Sequence, residues 1–146
     1  MTNIEIAKSA LKRSSRWLTN ALRALEEERW DDVVYSSQMV VEHASKAVLI
    51  AFGVEYPKAH DISFVFKQIS KKKNVPIWFL SMLNELASNI SELAELRGLA
   101  SYGYEKGLDV NYFKDYAPKA YEIAKKHYEA CVKLLSELYN ININNS

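Results

Sequence analysis

Four polar side chains interrupt an otherwise apolar segment in the first half of the chain. Most side chains between positions 31 and 52 are apolar, yet a polar one recurs every three or four residues, at Tyr35, Gln38, Glu42 and Lys46. This spacing places them on one face of a helix. A Glu42–Lys46 ion pair on a solvent-facing strip explains the pattern, and so does a strip that lines a binding cleft.

An arginine stands where the hydrophobic pattern of a later segment predicts a core residue. The apolar stripe of that segment runs through Leu83, Leu86, Ile90 and Leu93, and the next position in the progression is Arg97. A guanidinium in such a place needs a partner for its charge. Two roles are compatible with it. One is a structural arginine that is salt-bridged or extends to solvent at the helix end, and the other is a cleft arginine whose planar fork binds phosphate.

Familiar catalytic and cofactor motifs are absent from the sequence. The histidines His43, His60 and His127 have no metal-ligand spacing from one another, and Cys131 is the single cysteine, so we expect neither a metal site nor a disulfide. There is no phosphate loop or dinucleotide-binding turn, and no nucleophile elbow. We therefore expect no cofactor. For His60 we favour helix capping and local hydrogen bonding over the alternative, a catalytic role.

Composition indicates one ordinary globular domain. The chain has 146 residues, of which 49% are hydrophobic and 25% charged. The N-terminus lacks the apolar region of a signal peptide and no apolar run is long enough to span a bilayer, so we expect a cytoplasmic protein without membrane contact. A net charge of +1 argues against a dominant basic face, although a local patch is compatible with it. The helical spacing of Trp17, Phe64, Trp78 and Phe79 favours core positions over base-stacking positions.

Helical periodicity covers nearly the whole chain, and strand-like alternation is absent. Thr2 and Glu5 fit a capping box at the first helix, Asp31 is placed to cap the second, and Gly53 to end it. The short connections predict an all-α, antiparallel up-and-down bundle over 1–139, followed by a polar, fraying tail at 140–146. Four long helices are expected at about 3–28, 31–52, 74–101 and 117–139, and a short one at about 61–72.

These residues together resemble the HEPN domain (higher eukaryotes and prokaryotes nucleotide-binding). The family pattern has a helix with Q-x-x-x-E-x-x-x-K, then a glycine, a proline and H-D-[LI]. The segment ELRGLASYGYE resembles the family's second signature, late in the fourth helix. The residues that match the first pattern are Gln38, Glu42, Lys46, Gly53, Pro57, His60, Asp61 and Ile62.

The resemblance implies a dimeric helical bundle and one of two roles. Many members are metal-independent ribonucleases with R-x(4–6)-H, in which the arginine and the histidine of the two subunits meet in a cleft. Others are non-catalytic nucleotide-binding or antitoxin-system partners of a minimal nucleotidyltransferase. Toxin members of this last type carry R-x4-H-x-Y, to which Arg97 and Tyr104 correspond, but Tyr102 stands at the histidine position. Free tyrosine titrates near pH 10, so it is a poor proton carrier at neutral pH, and ribonuclease activity is disfavoured.

We therefore expect a non-catalytic, nucleotide- or phosphate-binding HEPN module that partners a separate nucleotidyltransferase chain. The alternatives are a HEPN ribonuclease with an altered site, which would act on RNA, and a purely structural helical dimer. The apolar character of the second helix on all sides, together with the resemblance, leads us to expect a homodimer. No catalytic residue is assigned, and the expected ligand cleft contains Arg97, Tyr102, Tyr104, Glu42, Lys46 and Gln38.

Overall fold

The computed structural model describes residues 1–143, and within that range the chain is a bundle of α-helices without strands. Two 3-10 segments, Lys67–Lys71 and Gly103–Lys106, follow directly on the third and the fourth α-helix. The predicted all-α bundle of four long helices and one short helix is confirmed. The helices are α1 (Asn3–Glu26), α2 (Trp30–Ala51), α3 (Ser63–Phe66), α4 (Ile77–Tyr102) and α5 (Ala117–Tyr139).

The ends of α1 and α2 show which local signals decide the helix boundaries. The capping box at α1 is confirmed. Thr2 Oγ1 accepts from the Glu5 backbone N–H at 3.1 Å, and Glu5 Oε2 accepts from the Thr2 backbone N–H at 3.2 Å. Gly53 follows α2 with a φ of +71°, as predicted for a glycine that ends a helix. The prediction that Asp31 caps α2 is wrong. The helix begins one residue earlier, at Trp30, so Asp31 lies in its first turn.

Helix α2 is the central element of the bundle. Thirteen of its 22 residues are buried, because α1, α4 and α5 pack around it. The small side chains of Ala44 and Ala47 allow close packing, and Ser14 Oγ on α1 donates to the carbonyl oxygen of Val40 at 2.8 Å. The apolar sides of α2 are therefore covered within one chain. The prediction that these sides need a second subunit to cover them is wrong, and the expected homodimer rests on the family resemblance.

The short α3 corrects one core prediction. Phe66 is fully buried and anchors this single helical turn, whereas Phe64 has 79% of its surface exposed. Side chains two positions apart on a helix point in directions about 200° apart. Because Phe66 enters the core, Phe64 must face outward. The expectation that Phe64 is a core residue is thus wrong. Phe79 is fully buried as expected, and Trp17 and Trp78 are half-buried against the core.

The chain end after α5 is only partly described. Asn140 ends the helix in a left-handed conformation, with a φ of +54°. Ile141 then turns back into the core and is buried. Of the tail expected to fray, 140–146, positions 144–146 lie outside the described residues. No helix within residues 1–143 is both long and apolar enough to cross a membrane.

Candidate functional site

Arg97 lies on the face of α4 that packs against α2. Its Nε donates to Gln38 Oε1 and its Nη2 to the Tyr35 hydroxyl, both at 3.0 Å. The guanidinium carbon also lies 4.8 Å from the centre of the Tyr35 ring, which adds a cation–π contact. The arginine is half-buried and directed at the polar stripe of α2. The same side chains that interrupt the apolar pattern of α2 therefore hold Arg97.

Glu42 extends this network along α2. Its Oε1 accepts from Gln38 Nε2 at 2.8 Å, and its Oε2 accepts from Lys46 Nζ at 3.0 Å. His60 Nδ1 lies 2.8 Å from the same Oε1. Burial raises the pKa of the Glu42 carboxyl, but hydrogen bonds from Gln38, Lys46 and His60 together hold that pKa below its ordinary value. The carboxylate is consequently ionised at neutral pH.

His60 is a member of this network, and the prediction that it caps a helix is wrong. The N-cap residue of α3 is Ile62, and the side-chain acceptor for the Ser63 backbone N–H is Asp61 Oδ1, at 2.9 Å. An ionised carboxylate can only accept, so the Glu42 contact fixes the proton of neutral His60 on Nδ1 and leaves the lone pair on Nε2. The His60 side chain is 51% exposed. The His-Asp pair after Pro57 was the available sequence signal, but nothing in the sequence indicated that Glu42 lies beside it.

The network carries an excess of positive charge. Arg97 and Lys46 are two cations and Glu42 is one carboxylate, which leaves a net charge of +1 while His60 is neutral. Lys46 is ion-paired with Glu42. Arg97, by contrast, meets only neutral acceptors among residues 1–143, and its Nη1 makes no hydrogen bond there. A half-buried guanidinium without a carboxylate partner is suited to bind an anion such as phosphate.

The structure does not bring all of the predicted site residues together. Gln38, Glu42 and Lys46 join Arg97 in one hydrogen-bonded chain. Tyr102 is 59% exposed and Tyr104 is 70% exposed, and neither forms a hydrogen bond with Arg97. Five residues on a helix correspond to a rotation of about 140°, so Tyr102 faces away from the side of α4 that holds Arg97. Within a single chain the two tyrosines belong to the outer surface.

Two further histidines lie outside this network. His127 on α5 is fully buried, its Nε2 lies 2.7 Å from Ser45 Oγ on α2, and burial lowers its pKa to about 3. Burial also lowers the pKa of His43, on the α1 side of α2. These groups are neutral and structural at physiological pH. Across residues 1–143 no three His, Cys, Asp or Glu side chains are grouped so that they could hold a metal ion.

A comparison of the sequence with protein-family profiles agrees with the helical bundle described above. A profile of the HEPN domain matches residues 7–141, which is nearly the whole chain. This chain belongs to the HEPN domain family. The match begins in α1 and ends at Ile141, the buried residue just after α5, so it covers the whole bundle including both elements of the Arg97 network.

One protein that is similar in sequence to this chain comes from an archaeon. The chain is 30% identical over 131 residues to a protein of Methanocaldococcus jannaschii named "Putative toxin MJ1304". The alignment covers 90% of this chain and 82% of that protein. No solved structure matches the chain significantly.

Proposed function

We propose that this HEPN protein is a dimeric, non-catalytic module that binds a phosphate group of a nucleotide at Arg97 and acts with a separate nucleotidyltransferase chain. The observation that carries the proposal is the state of Arg97. It is half-buried, it is oriented by Gln38 and Tyr35, and no carboxylate neutralises it among the described residues. A guanidinium held in this way retains Nη1 for an anionic ligand.

The toxin-like relative supports a two-component system. A minimal nucleotidyltransferase chain is the partner that the resemblance to R-x4-H-x-Y members implies. Tyr104 stands at the tyrosine position of that signature, and with 70% of its surface exposed its hydroxyl is accessible to an enzyme. A short nucleotidyltransferase reading frame next to the gene for this chain would support the partnership directly.

The residue at the histidine position argues against the ribonuclease mechanism that uses R-x4-H. That residue is Tyr102. Proton transfer to and from RNA near neutrality requires a group whose pKa lies near 7, and tyrosine normally lacks that property. We therefore propose that the Arg97 network binds phosphate without cleaving RNA.

One observation favours a second candidate function, a HEPN ribonuclease with a relocated histidine. His60 is oriented by Glu42 through Nδ1 and presents Nε2 on a half-exposed ring. A carboxylate–imidazole pair of this kind can act as a general base. In this alternative His60 would transfer the proton that Tyr102 cannot transfer near neutral pH, while Arg97 would bind the phosphate.

An RNA-cleavage assay separates the two candidates. The purified protein is incubated with single-stranded RNA in the absence of divalent metal, beside His60→Ala and Arg97→Met variants whose helicity is checked by circular dichroism. We expect no cleavage by the wild type above a buffer control. Cleavage that disappears in both variants would overturn the non-catalytic proposal and establish the ribonuclease alternative.

A further inference from the structure

A small surface on the connection between α2 and α4 combines an exposed ring with cationic side chains. Phe64, Lys67, Gln68 and Lys71 line a shallow depression of about 210 Å³. Phe64 is the most exposed aromatic residue among residues 1–143. We call these four residues, together with Lys72 and Lys73, the basic–aromatic patch. An exposed phenylalanine contributes nothing to the core of its own chain, so its exposure indicates a surface that contacts another molecule.

The lysines of the patch are not neutralised locally. The segment from position 67 to 73 reads KQISKKK, with four lysines and no acidic residue. All four are exposed, and none forms an ion pair in the described part of the chain. The whole protein has a net charge of only +1, so this cluster is a local concentration of positive charge. Such a cluster attracts polyanions.

The patch is distant from Arg97 itself, although Phe64 follows His60, the far end of the hydrogen-bonded network, by only four residues. It lies next to the start of α4, whereas Arg97 is twenty residues further along that helix. At a rise of 1.5 Å per residue this corresponds to about 30 Å. An acidic segment, Glu26–Glu28 followed by Asp31 and Asp32, spans the end of α1 and the start of α2 at the opposite end of the bundle. A ligand at the patch therefore does not occupy the phosphate site at Arg97.

We propose that the basic–aromatic patch binds single-stranded nucleic acid, with one base stacked on Phe64 and the adjacent phosphates held by Lys67 and Lys71. Proteins that bind single strands combine these two features, since every base offers a flat face to an aromatic ring and every linkage carries a charge. Gln68 adds an amide that can donate to and accept from the edge of the stacked base.

Other occupants fit the patch less well. An isologous contact with a second copy would bring the same lysine cluster against itself, which is unfavourable. A duplex buries the flat faces of its bases, so it offers Phe64 nothing to stack on. An anionic membrane or an acidic protein segment would satisfy the lysines but would not require a planar ring at position 64. These occupants are distinguished by experiment.

The test measures binding of labelled 12-nucleotide uridine and thymidine strands by fluorescence anisotropy, beside an abasic strand with the same number of phosphates. We expect the strands with bases to bind more tightly than the abasic strand. Stacking of one base predicts that Phe64→Ala weakens binding about fivefold or more, while Phe64→Trp preserves it. Replacing both Lys67 and Lys71 by alanine should reduce the slope of log affinity against log salt by about 1.4.

Matched controls use exposed residues away from the patch. The pair Lys125→Ala and Lys126→Ala removes the same charge from α5, and Val110→Ala removes exposed apolar surface elsewhere; both should leave binding unchanged within twofold. The proposal would be overturned if the abasic strand bound as tightly as the strands with bases, or if Phe64→Ala bound the strands as tightly as the wild type. Preferential binding to phosphatidylserine vesicles or polyglutamate would also overturn it. The Phe64 variant should still bind ATP at Arg97, so failure here is distinguishable from failure of the proposed function.

Discussion

Lowering the pH from 7 to 5 should destabilise this protein mainly through His127. Burial lowers the pKa of His127 from an ordinary 6.5 to about 3. Below pH 6.5 the unfolded chain binds a proton at this position, but the folded chain does not until the pH approaches 3, so stability falls as the pH falls through that window. With those two values the loss between pH 7 and pH 5 is about 2 kcal/mol, at 1.36 kcal/mol for each unit of pH over which only the unfolded state is protonated.

The assay is urea unfolding followed by circular dichroism at pH 7, 6 and 5. His127→Gln should remove most of the pH dependence, whatever it does to stability at pH 7. Ser45→Ala is the matched control: it deletes the hydrogen-bond partner of His127 but leaves the ring buried, and burial is the cause of the shift. Because the pKa of His43 is lowered as well, the comparison uses the difference between variant and wild type. Parallel pH profiles for wild type and His127→Gln would refute the reasoning.

Two further predictions concern Arg97 and assembly. Arg97→Met should lower the free energy of unfolding by about 2–4 kcal/mol, because two hydrogen bonds from a charged donor are lost and the buried Gln38 Oε1 loses its hydrogen-bond donor. Urea unfolding measures this, and a change under 0.5 kcal/mol would contradict the network. Sedimentation equilibrium at micromolar concentration should give twice the mass of the chain, as the family resemblance implies, and a monomer would contradict the proposed dimer.

The sequence predicts the helices well because their signals are local. The capping box at Thr2, the glycine after α2 and the spacing of apolar residues each depend on neighbours within a few positions. The predictions that failed concern packing between residues that are far apart in the sequence. Phe64 has helical spacing, but the single turn of α3 buries only Phe66. The apolar sides of α2 predict a contact with a second subunit only because the sequence does not show that three helices of the same chain surround α2.

The candidate site was predictable in part for the same reason. The polar stripe on α2 and the displaced Arg97 are each visible as a break in periodicity, and they are joined in the structure. Tyr102 follows Arg97 by five residues in the sequence, yet the helical rotation separates their side chains within the chain. The contact between His60 and Glu42 spans 18 positions and crosses a loop, so no periodicity could reveal it.

Nucleotide binding at Arg97 is the measurement that tests the central claim most directly. Calorimetric titration of the purified protein with ATP, and separately with inorganic phosphate, is compared between wild type, Arg97→Met and Arg16→Met, which removes an exposed arginine of α1. We predict binding by the wild type and by Arg16→Met, weakened at least tenfold in a folded Arg97→Met variant and weakened by rising salt. A wild type that binds neither probe, or a folded Arg97→Met variant that binds ATP as tightly as the wild type, would contradict the account.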